Sequence, residues 1–177
     1  MRDVQLLAAG IASGGWLAAT LVLGAPASAR DTVNGTAGDD RLHGTLSSDT
    51  IRGFGGDDRV EALAAPDLIF GGSGRDLLWG GRGADRLYGG AGRDDVFGRA
   101  GSDVIFGGAR ADYALVDGHG TDTIHGGLGN DIVILVKDGT PDTVTCGPGH
   151  DLVDDFGAVG ENTIAADCET VDVHESH

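Results

Sequence analysis

An aspartate recurs at every ninth position through the middle of the chain. The nine in strict register are Asp40, Asp49, Asp58, Asp67, Asp76, Asp85, Asp94, Asp103 and Asp112. An apolar residue lies two positions after each aspartate, from Leu42 to Ala114, and glycines cluster just before it. A fixed period of this length is typical of stacked repeats, in which each unit buries its apolar face on its neighbours. The period therefore predicts a solenoid.

The composition agrees with a solenoid and restricts the partners. Thirty-three glycines stand beside only five phenylalanines, two tyrosines and two tryptophans among 177 residues, so a thick core is not expected. The net charge is −16, and 24 of the 28 acidic residues are aspartate. Nucleic acid is excluded as a partner, since phosphate binding needs a basic face. Bound cations would relieve the repulsion between stacked carboxylates.

Residues 1–29 have the pattern of a secretory signal peptide. Arg2 precedes an uncharged stretch from Val4 to Leu23, and Ala27-Ser28-Ala29 forms a small-x-small cleavage site before Arg30. We expect cleavage there, an extracellular location and no membrane contact afterwards. The alternative is a retained membrane anchor, because the stretch approaches the length that spans a bilayer.

The best-formed repeats are three consecutive nonapeptides, Gly71–Trp79, Gly80–Tyr88 and Gly89–Phe97. Each has glycine at positions one, two and four and aspartate at position six. Glycine permits positive φ, so several carbonyl groups can point towards one centre. Calcium takes six to eight oxygen ligands and accepts carboxylates together with backbone carbonyls. These turns are therefore predicted to bind calcium.

The nonapeptides resemble the RTX (haemolysin-type) calcium-binding repeat, in a form similar to exported actinobacterial proteins. The resemblance implies an all-β fold, a right-handed parallel β-roll in which two repeats form one coil and residues 18 apart lie above one another. It implies several Ca²⁺ ions bridged by aspartates one coil apart, such as Asp58 with Asp76 or Asp85 with Asp103. The implied ligands are Asp40, Asp58, Gly71, Gly72, Gly74, Asp76, Gly80, Gly81, Gly83, Asp85, Gly89, Gly90, Gly92, Asp94, Asp103 and Asp112.

Several turns depart from this pattern. Residues 62–66 read Ala-Leu-Ala-Ala-Pro, so no glycine precedes Asp67 and calcium is not expected there. Arg110 occupies a glycine position before Asp112 and weakens that turn. Beyond Asp112 the aspartate spacing becomes irregular, while the apolar position persists. We expect the stack to continue there with poorer metal sites.

The two cysteines, Cys146 and Cys168, lie beyond the regular repeats. In an exported protein an even pair is most simply one disulfide. Two free thiols or a metal pair are the alternatives, although there is no close Cys-x-x-Cys spacing. The predicted organisation is a calcium-binding roll over residues 30–145 and a disulfide-linked C-terminal cap over residues 146–177.

Aromatic residues recur at position nine and predict two ladders. The first contains Phe70, Tyr88 and Phe106, and the second contains Trp79, Phe97 and Leu115. Stacking could stabilise the outer faces of the sheets. Alternatively, the ladders could dock carbohydrate, a cell surface or another copy of the chain.

The sequence lacks the catalytic motifs for which it was searched. It has neither His-Glu-x-x-His nor Gly-x-Ser-x-Gly. We therefore expect no enzyme but a secreted calcium-binding protein whose roll folds around Ca²⁺. The alternative is a calcium-assembled structural or adhesive protein that uses the aromatic ladders, and a secreted hydrolase is less favoured.

Overall fold

The computed structural model describes residues 31–116, 119–156 and 162–174. Within these ranges the chain forms sixteen short strands and no helix, which confirms the all-β prediction. The strands are β1 (Thr32–Asn34), β2 (Arg41–His43), β3 (Thr50–Gly55), β4 (Arg59–Glu61), β5 (Leu68–Ser73), β6 (Leu77–Arg82), β7 (Arg86–Ala91), β8 (Asp95–Ala100), β9 (Val104–Ala109), β10 (Tyr113–Val116), β11 (Thr123–Leu128), β12 (Ile132–Leu135), β13 (Thr143–Thr145), β14 (Leu152–Asp155), β15 (Thr163–Ile164) and β16 (Thr170–Val173).

Consecutive strands alternate between two parallel sheets. The odd-numbered strands form the first sheet and the even-numbered strands form the second, each in sequence order. Ile51 lies opposite Ile69, a register of 18 residues. The offset grows to 19 between Ile105 and Ile124 and to 20 between Ile124 and Val144. The parallel solenoid is thus confirmed, and the turns absorb the later insertions without breaking the stack.

The core is a thin column with one aliphatic side chain from nearly every strand. Side chains alternate along a strand, so position eight points inward while positions seven and nine point outward. The buried position-eight residues are Val33, Leu42, Ile51, Val60, Ile69, Leu78, Leu87, Val96, Ile105, Ile124, Val133, Val144 and Val153. Position one also faces inward, because Ala62, Leu135 and Cys146 are fully buried there.

The turns from the one before Asp58 to the one before Asp112 all have positive φ at positions two and four. Gly72 and Gly74 have φ of 120° and 123°. The same conformation persists at residues that are not glycine, including Leu63 (82°) and Ala65 (74°) in the turn that lacks glycines. A Cβ at Gly72 would strike the carbonyl of Phe54 in the preceding coil. Contact with neighbouring coils therefore holds each turn in shape.

A disulfide joins Cys146 to Cys168, as predicted, with a Cα–Cα distance of 5.2 Å. Cys146 occupies a buried position-one site, and Cys168 packs against the same core. The last strand, β16, pairs with β14. It is exposed along its length, including Val171 and Val173. The bond thus fastens the end of the chain to the last coils.

In the described ranges, no helix is long and apolar enough to cross a membrane. The predicted signal peptide, residues 1–29, and the cleavage before Arg30 lie outside these ranges and stay predictions. The division into a roll and a cap at residue 146 also stays a prediction.

Candidate metal sites in the turns

The position-six aspartates form two rows, one along each edge of the solenoid. The first edge, where the chain passes from the first sheet to the second, carries Asp40, Asp58, Asp76, Asp94, Asp112, Asp131 and Asp151. The second edge carries Asp49, Asp67, Asp85, Asp103, Asp122 and Asp142. Every member is at most 5% exposed. Coil-on-coil packing therefore buries two columns of carboxylates.

From Asp49 to Asp151, one oxygen of each carboxylate accepts a backbone N–H of the preceding coil. The N–H of Asp58 donates to Asp76 Oδ1 at 2.9 Å, and the N–H of Asp76 donates to Asp94 Oδ1 at 2.9 Å. On the second edge the N–H of Asp85 donates to Asp103 Oδ1 at 2.8 Å. The aspartates predicted to share an ion are therefore direct neighbours, one coil apart.

The second oxygen of most of these carboxylates has no hydrogen-bond partner. In the described part of the chain, the buried and unpaired Oδ2 atoms of the rows belong to Asp58, Asp67, Asp76, Asp85, Asp94, Asp103, Asp112, Asp131 and Asp151. A buried polar atom without a partner is unfavourable and rare in folded proteins. Its recurrence in turn after turn indicates a ligand that satisfies this oxygen.

The position-one glycines leave the space that such a ligand would need. A Cβ built on Gly80 would lie 2.5 Å from Asp85 Oδ2 and 2.8 Å from the carbonyl oxygen of Gly98 in the next coil. A Cβ on Gly89 would likewise meet Asp94 Oδ2 at 2.7 Å. The unpaired carboxylate oxygen and a carbonyl oxygen thus border the same small volume. A larger side chain at position one would fill it.

Burial makes the negative charge of the rows unfavourable. Desolvation raises the pKa of Asp58 and of Asp103 to about 7, against the lowering effect of a backbone hydrogen bond and with a further contribution from the carboxylate one coil away. Desolvation also raises the pKa of Asp85 to about 6. The pKa is about 7 for Asp67, Asp112 and Asp122, about 6 for Asp94, and raised for Asp76 and Asp131. A cation beside the rows would offset this penalty.

The donor set fits calcium. The available atoms are carboxylate and carbonyl oxygens, which suit a hard cation such as calcium. No three histidine, cysteine, aspartate or glutamate side chains converge on a metal position among the described residues. Side chains alone therefore do not form a shell, and backbone carbonyls must contribute to it. The position-two and position-four glycines supply the turn conformation, and the position-one glycines supply the space.

Asp40 and Asp49 differ from the other members of the rows. Asp40 Oδ2 accepts the backbone N–H of Thr36 at 2.5 Å and its hydroxyl at 2.9 Å. Thr45 bonds Asp49 Oδ2 in the same way, at 2.6 and 3.0 Å. A threonine at position two thus satisfies the oxygen that elsewhere stays unpaired. Asp40 was a predicted ligand, and this contact makes it a poorer one.

Three aspartates outside the predicted set share the unpaired oxygen of those within it, although Ala62 and Cys146 replace the position-one glycine before two of them. Asp67, Asp131 and Asp151 each have a buried, unpaired Oδ2. The turn before Asp67 keeps its shape although glycines are absent, because the adjacent coils impose it. Sequence reasoning set Asp67 aside because no glycine precedes it, and Asp131 and Asp151 because the spacing beyond Asp112 is irregular. The glycines at positions one, two and four before Asp131 were a signal for that residue.

The first aromatic ladder is continuous on the first sheet. Phe70, Tyr88 and Phe106 stack with centroid separations of 5.0 and 4.8 Å, and His125 extends the stack at 4.7 Å. Arg52 covers the other end, over the Phe70 ring. Most ring faces are therefore already covered, which favours a stabilising role. A docking role for the ladder stays a prediction.

The second ladder is shorter. Trp79 stacks on Phe97 at 6.1 Å, and Tyr113 meets Phe97 edge-on. Arg59 lies 4.5 Å over the Trp79 ring. The side chain of Leu115, the predicted third member, lies outside the described part of the structure.

These features define a class of protein: a parallel β-solenoid whose turns present carboxylate and carbonyl oxygens along two edges. The family model of the RTX calcium-binding nonapeptide repeat, written for four copies, matches residues 34–69, 52–87, 61–96, 79–114 and 97–133. The matches together span more than half of the chain, which therefore belongs to the RTX calcium-binding nonapeptide repeat family. No curated protein matched the chain.

Proposed function

We propose that this chain is an extracellular calcium-binding protein whose solenoid is stabilised by several calcium ions held in its turns. The observation that carries the proposal is the recurrent, buried and unpaired Oδ2 of the position-six aspartates. Where position one is glycine, as at Gly80 and Gly89, the unpaired oxygen and a carbonyl oxygen of the next coil border the same small space. Oxygen ligands of this mixed kind are those that calcium prefers.

Calcium binding and folding are coupled in this proposal. The core contributes about one aliphatic side chain per strand, while the two rows bury negative charge that burial disfavours. Apolar burial must therefore act against electrostatic repulsion in the calcium-free chain. A ligand that binds the folded state stabilises it by mass action, and a metal site that forms only on folding makes the two events one.

The residues assigned to calcium are those with a free Oδ2. On the first edge they include Asp58, Asp76, Asp94 and Asp112, and on the second edge Asp85 and Asp103. Position-one carbonyls such as that of Gly98 complete the set. The affinity expected for extracellular modules is on the order of 10⁻⁴ M.

An extracellular location fits the disulfide between Cys146 and Cys168. Disulfides persist in oxidising compartments and are rare in the cytosol. The proposed role is non-enzymatic, with calcium as the ligand. Expression with the native N-terminus and N-terminal sequencing of secreted protein test the location: a mature chain that begins at Arg30 is expected, and protein retained in the cell or membrane would contradict secretion.

Isothermal titration with calcium tests the metal sites, and the chain offers matched variants. Asp76→Asn removes a free Oδ2 while keeping an oxygen for the N–H of Asp58. Asn162 already shows that this exchange is tolerated, since its Oδ1 accepts the N–H of Asp142 at 2.9 Å. Asp40→Asn is the control on the same edge, because Thr36 already bonds Asp40 Oδ2.

The wild type is expected to bind several calcium ions, Asp76→Asn fewer, and Asp40→Asn nearly as many as the wild type. Magnesium at the same concentration is the cation control, because it demands a tighter octahedral shell. Absence of calcium binding by the oxidised wild-type protein, or equal losses in both variants, would contradict the proposed sites.

A further inference from the structure

The position-five residues of the first edge form a separate row of hydrogen bonds on the outside of the turns. The N–H of Asp57 donates to Asp39 Oδ1 at 2.8 Å, and the N–H of Arg75 donates to Asp57 Oδ1 at 2.8 Å. Near the other end, the N–H of His150 donates to Asn130 Oδ1 at 3.0 Å. Where residue five carries an oxygen, that oxygen accepts the N–H of residue five one coil further on.

This row is interrupted at Arg75, Arg93 and Ala111, whose side chains carry no acceptor. A guanidinium group has donors and no acceptor, so the Arg75 side chain cannot accept a hydrogen bond from the N–H of Arg93. Accordingly, the backbone N–H of Arg93 forms no hydrogen bond within the described part of the chain. One coil earlier, Asp57 Oδ1 accepts the N–H of Arg75, but no described side chain accepts the N–H of Arg93 in the same way.

An open cleft of about 440 Å³ lies at the interruption. Its walls are Gly74, Arg75, Ala91, Gly92, Arg93 and Arg110. Arg75 pairs with Asp95 at 2.8 Å, whereas Arg93 and Arg110 form no ion pair with any described residue. Three arginines therefore line one open cleft in a chain of net charge −16, and the remaining walls are small residues that leave room for a ligand.

Arg110 is held in a conformation that favours glycine. Its φ is 93°, at the position where the neighbouring coils carry Gly92 and Gly129 with φ of 159° and 137°. A side chain in this region is strained, and such residues cluster at functional sites. The strain is thus borne by one of the three arginines that line the cleft.

We propose that this cleft binds an oxyanion, a sulfate or a carboxylate group, which accepts the N–H of Arg93 and pairs with the guanidinium groups of Arg93 and Arg110. The anion stands where an acidic position-five side chain would otherwise complete the row. Guanidinium groups favour such ligands because their forked donors match two oxygens at once. The cleft lies on the outside of the same turns, and the side chains proposed to hold the anion, at positions four and five, differ from the position-six aspartates assigned to calcium.

Isothermal titration of the oxidised wild-type protein with sodium sulfate and with sodium acetate, in calcium-containing buffer of constant ionic strength set with chloride, tests the site. Arg110→Gly is the informative variant, because glycine suits the local backbone. Arg99→Gly is the matched control: Arg99 has φ of 74° on the second edge, so the same charge and the same strain are removed elsewhere. We expect at least tenfold weaker anion binding in Arg110→Gly and no change in Arg99→Gly.

A second variant, Arg75→Asp, gives the row its missing acceptor and should abolish anion binding while calcium titration stays unchanged. Tighter binding of sulfate than acetate assigns a tetrahedral group, and the reverse order assigns a carboxylate. Equal weakening by Arg110→Gly and Arg99→Gly would reduce the effect to overall charge and overturn the site. Absence of heat with both anions, or full binding by Arg75→Asp, would also overturn it.

Discussion

Asp76 receives the backbone N–H of Asp58 on Oδ1 at 2.9 Å and keeps Oδ2 buried without a partner. The same arrangement, in which one carboxylate oxygen accepts a backbone N–H and the other is unpaired, recurs along both edges of the solenoid. One oxygen fixes the register between coils, and the other is left for a ligand. A calcium site of this kind therefore depends on the stack and not on an isolated turn.

Asp85→Asn should change stability in opposite directions with and without calcium. In chelator the variant removes a buried charge whose pKa burial raises to about 6, so the free energy of unfolding should rise by about 1–3 kcal/mol at pH 8. With saturating calcium a ligand is lost, and the variant should be less stable than the wild type. Urea denaturation under both conditions measures this.

Asp49→Asn is the control on the same edge, because Thr45 already satisfies Asp49 Oδ2. Its stability relative to the wild type should be nearly the same with chelator and with calcium, because it keeps every proposed calcium ligand. A loss of stability in Asp85→Asn of the same size with chelator and with calcium would refute a ligand role for Asp85.

The calcium-free protein should lose stability as the pH rises from about 4 to about 7. Burial raises the pKa of Asp58 and Asp103 from 3.8 to about 7, so between these values the folded state binds more protons than the unfolded state. Stability then falls with increasing pH and levels off above about 7. Chemical denaturation in chelator at pH 5 and pH 8 measures the slope.

Calcium should reverse this dependence, since it binds the deprotonated carboxylates and competes with protons. The calcium-induced rise in stability should therefore be larger at pH 8 than at pH 5. An increase in calcium-free stability between pH 5 and pH 8 would count against carboxylates buried in unfavourable surroundings.

Gly90→Ala should destabilise the fold more than Gly139→Ala. Both glycines have positive φ, at 117° and 86°, so alanine is strained at each by about 1 kcal/mol. A Cβ on Gly90 would also strike the Gly72 carbonyl, whereas a Cβ on Gly139 would meet no atom within 4 Å. The extra loss at Gly90 should reach about 3 kcal/mol, the upper range for overpacking.

Thermal unfolding with calcium present compares the two variants. Equal losses would mean that backbone conformation alone explains the glycines, and that the close approach of adjacent coils does not constrain position two.

Removal of the disulfide should loosen the end of the stack. Cys146 and Cys168 are 22 residues apart, and a loop of this length contributes roughly 3 kcal/mol in the chain-entropy account. In the double variant Cys146→Ala/Cys168→Ala, hydrogen exchange should accelerate in β15 and β16. Exchange in β5–β8 is the internal control and should be unchanged. Uniform acceleration would show that the bond supports the whole solenoid.

The period of the repeats predicted the general architecture of the fold. Aspartate at every ninth position and an apolar residue two positions later predicted a solenoid with an inward column from Leu42 to Val153. The resemblance to the RTX repeat implied parallel coils of 18 residues and neighbouring carboxylates such as Asp58 and Asp76. The cysteine pair also formed the predicted bond. The solenoid and its inward column follow from local periodicity, which a sequence displays directly, whereas the bond followed from the even number of cysteines.

The differences between individual turns were less accessible from the sequence. The absence of glycine before Asp67 suggested a damaged turn, yet Leu63 and Ala65 adopt the same left-handed conformation as their glycine counterparts. Conversely, the turn before Asp40 matched the register, but Thr36 occupies the oxygen on which a cation would depend. In both turns the outcome rests on contacts that residue type alone does not reveal.

The sequence by itself therefore determined the repeat, the two edges and the acidic character of this protein. Only the tertiary structure decided which carboxylate oxygens remain unpaired and where the outer row is interrupted at Arg93. The physical reason is that each turn is completed by the coils before and after it. A hydrogen bond from the Asp58 N–H to Asp76, or the close approach of Gly90 to the Gly72 carbonyl, exists only once residues 18 apart lie against each other.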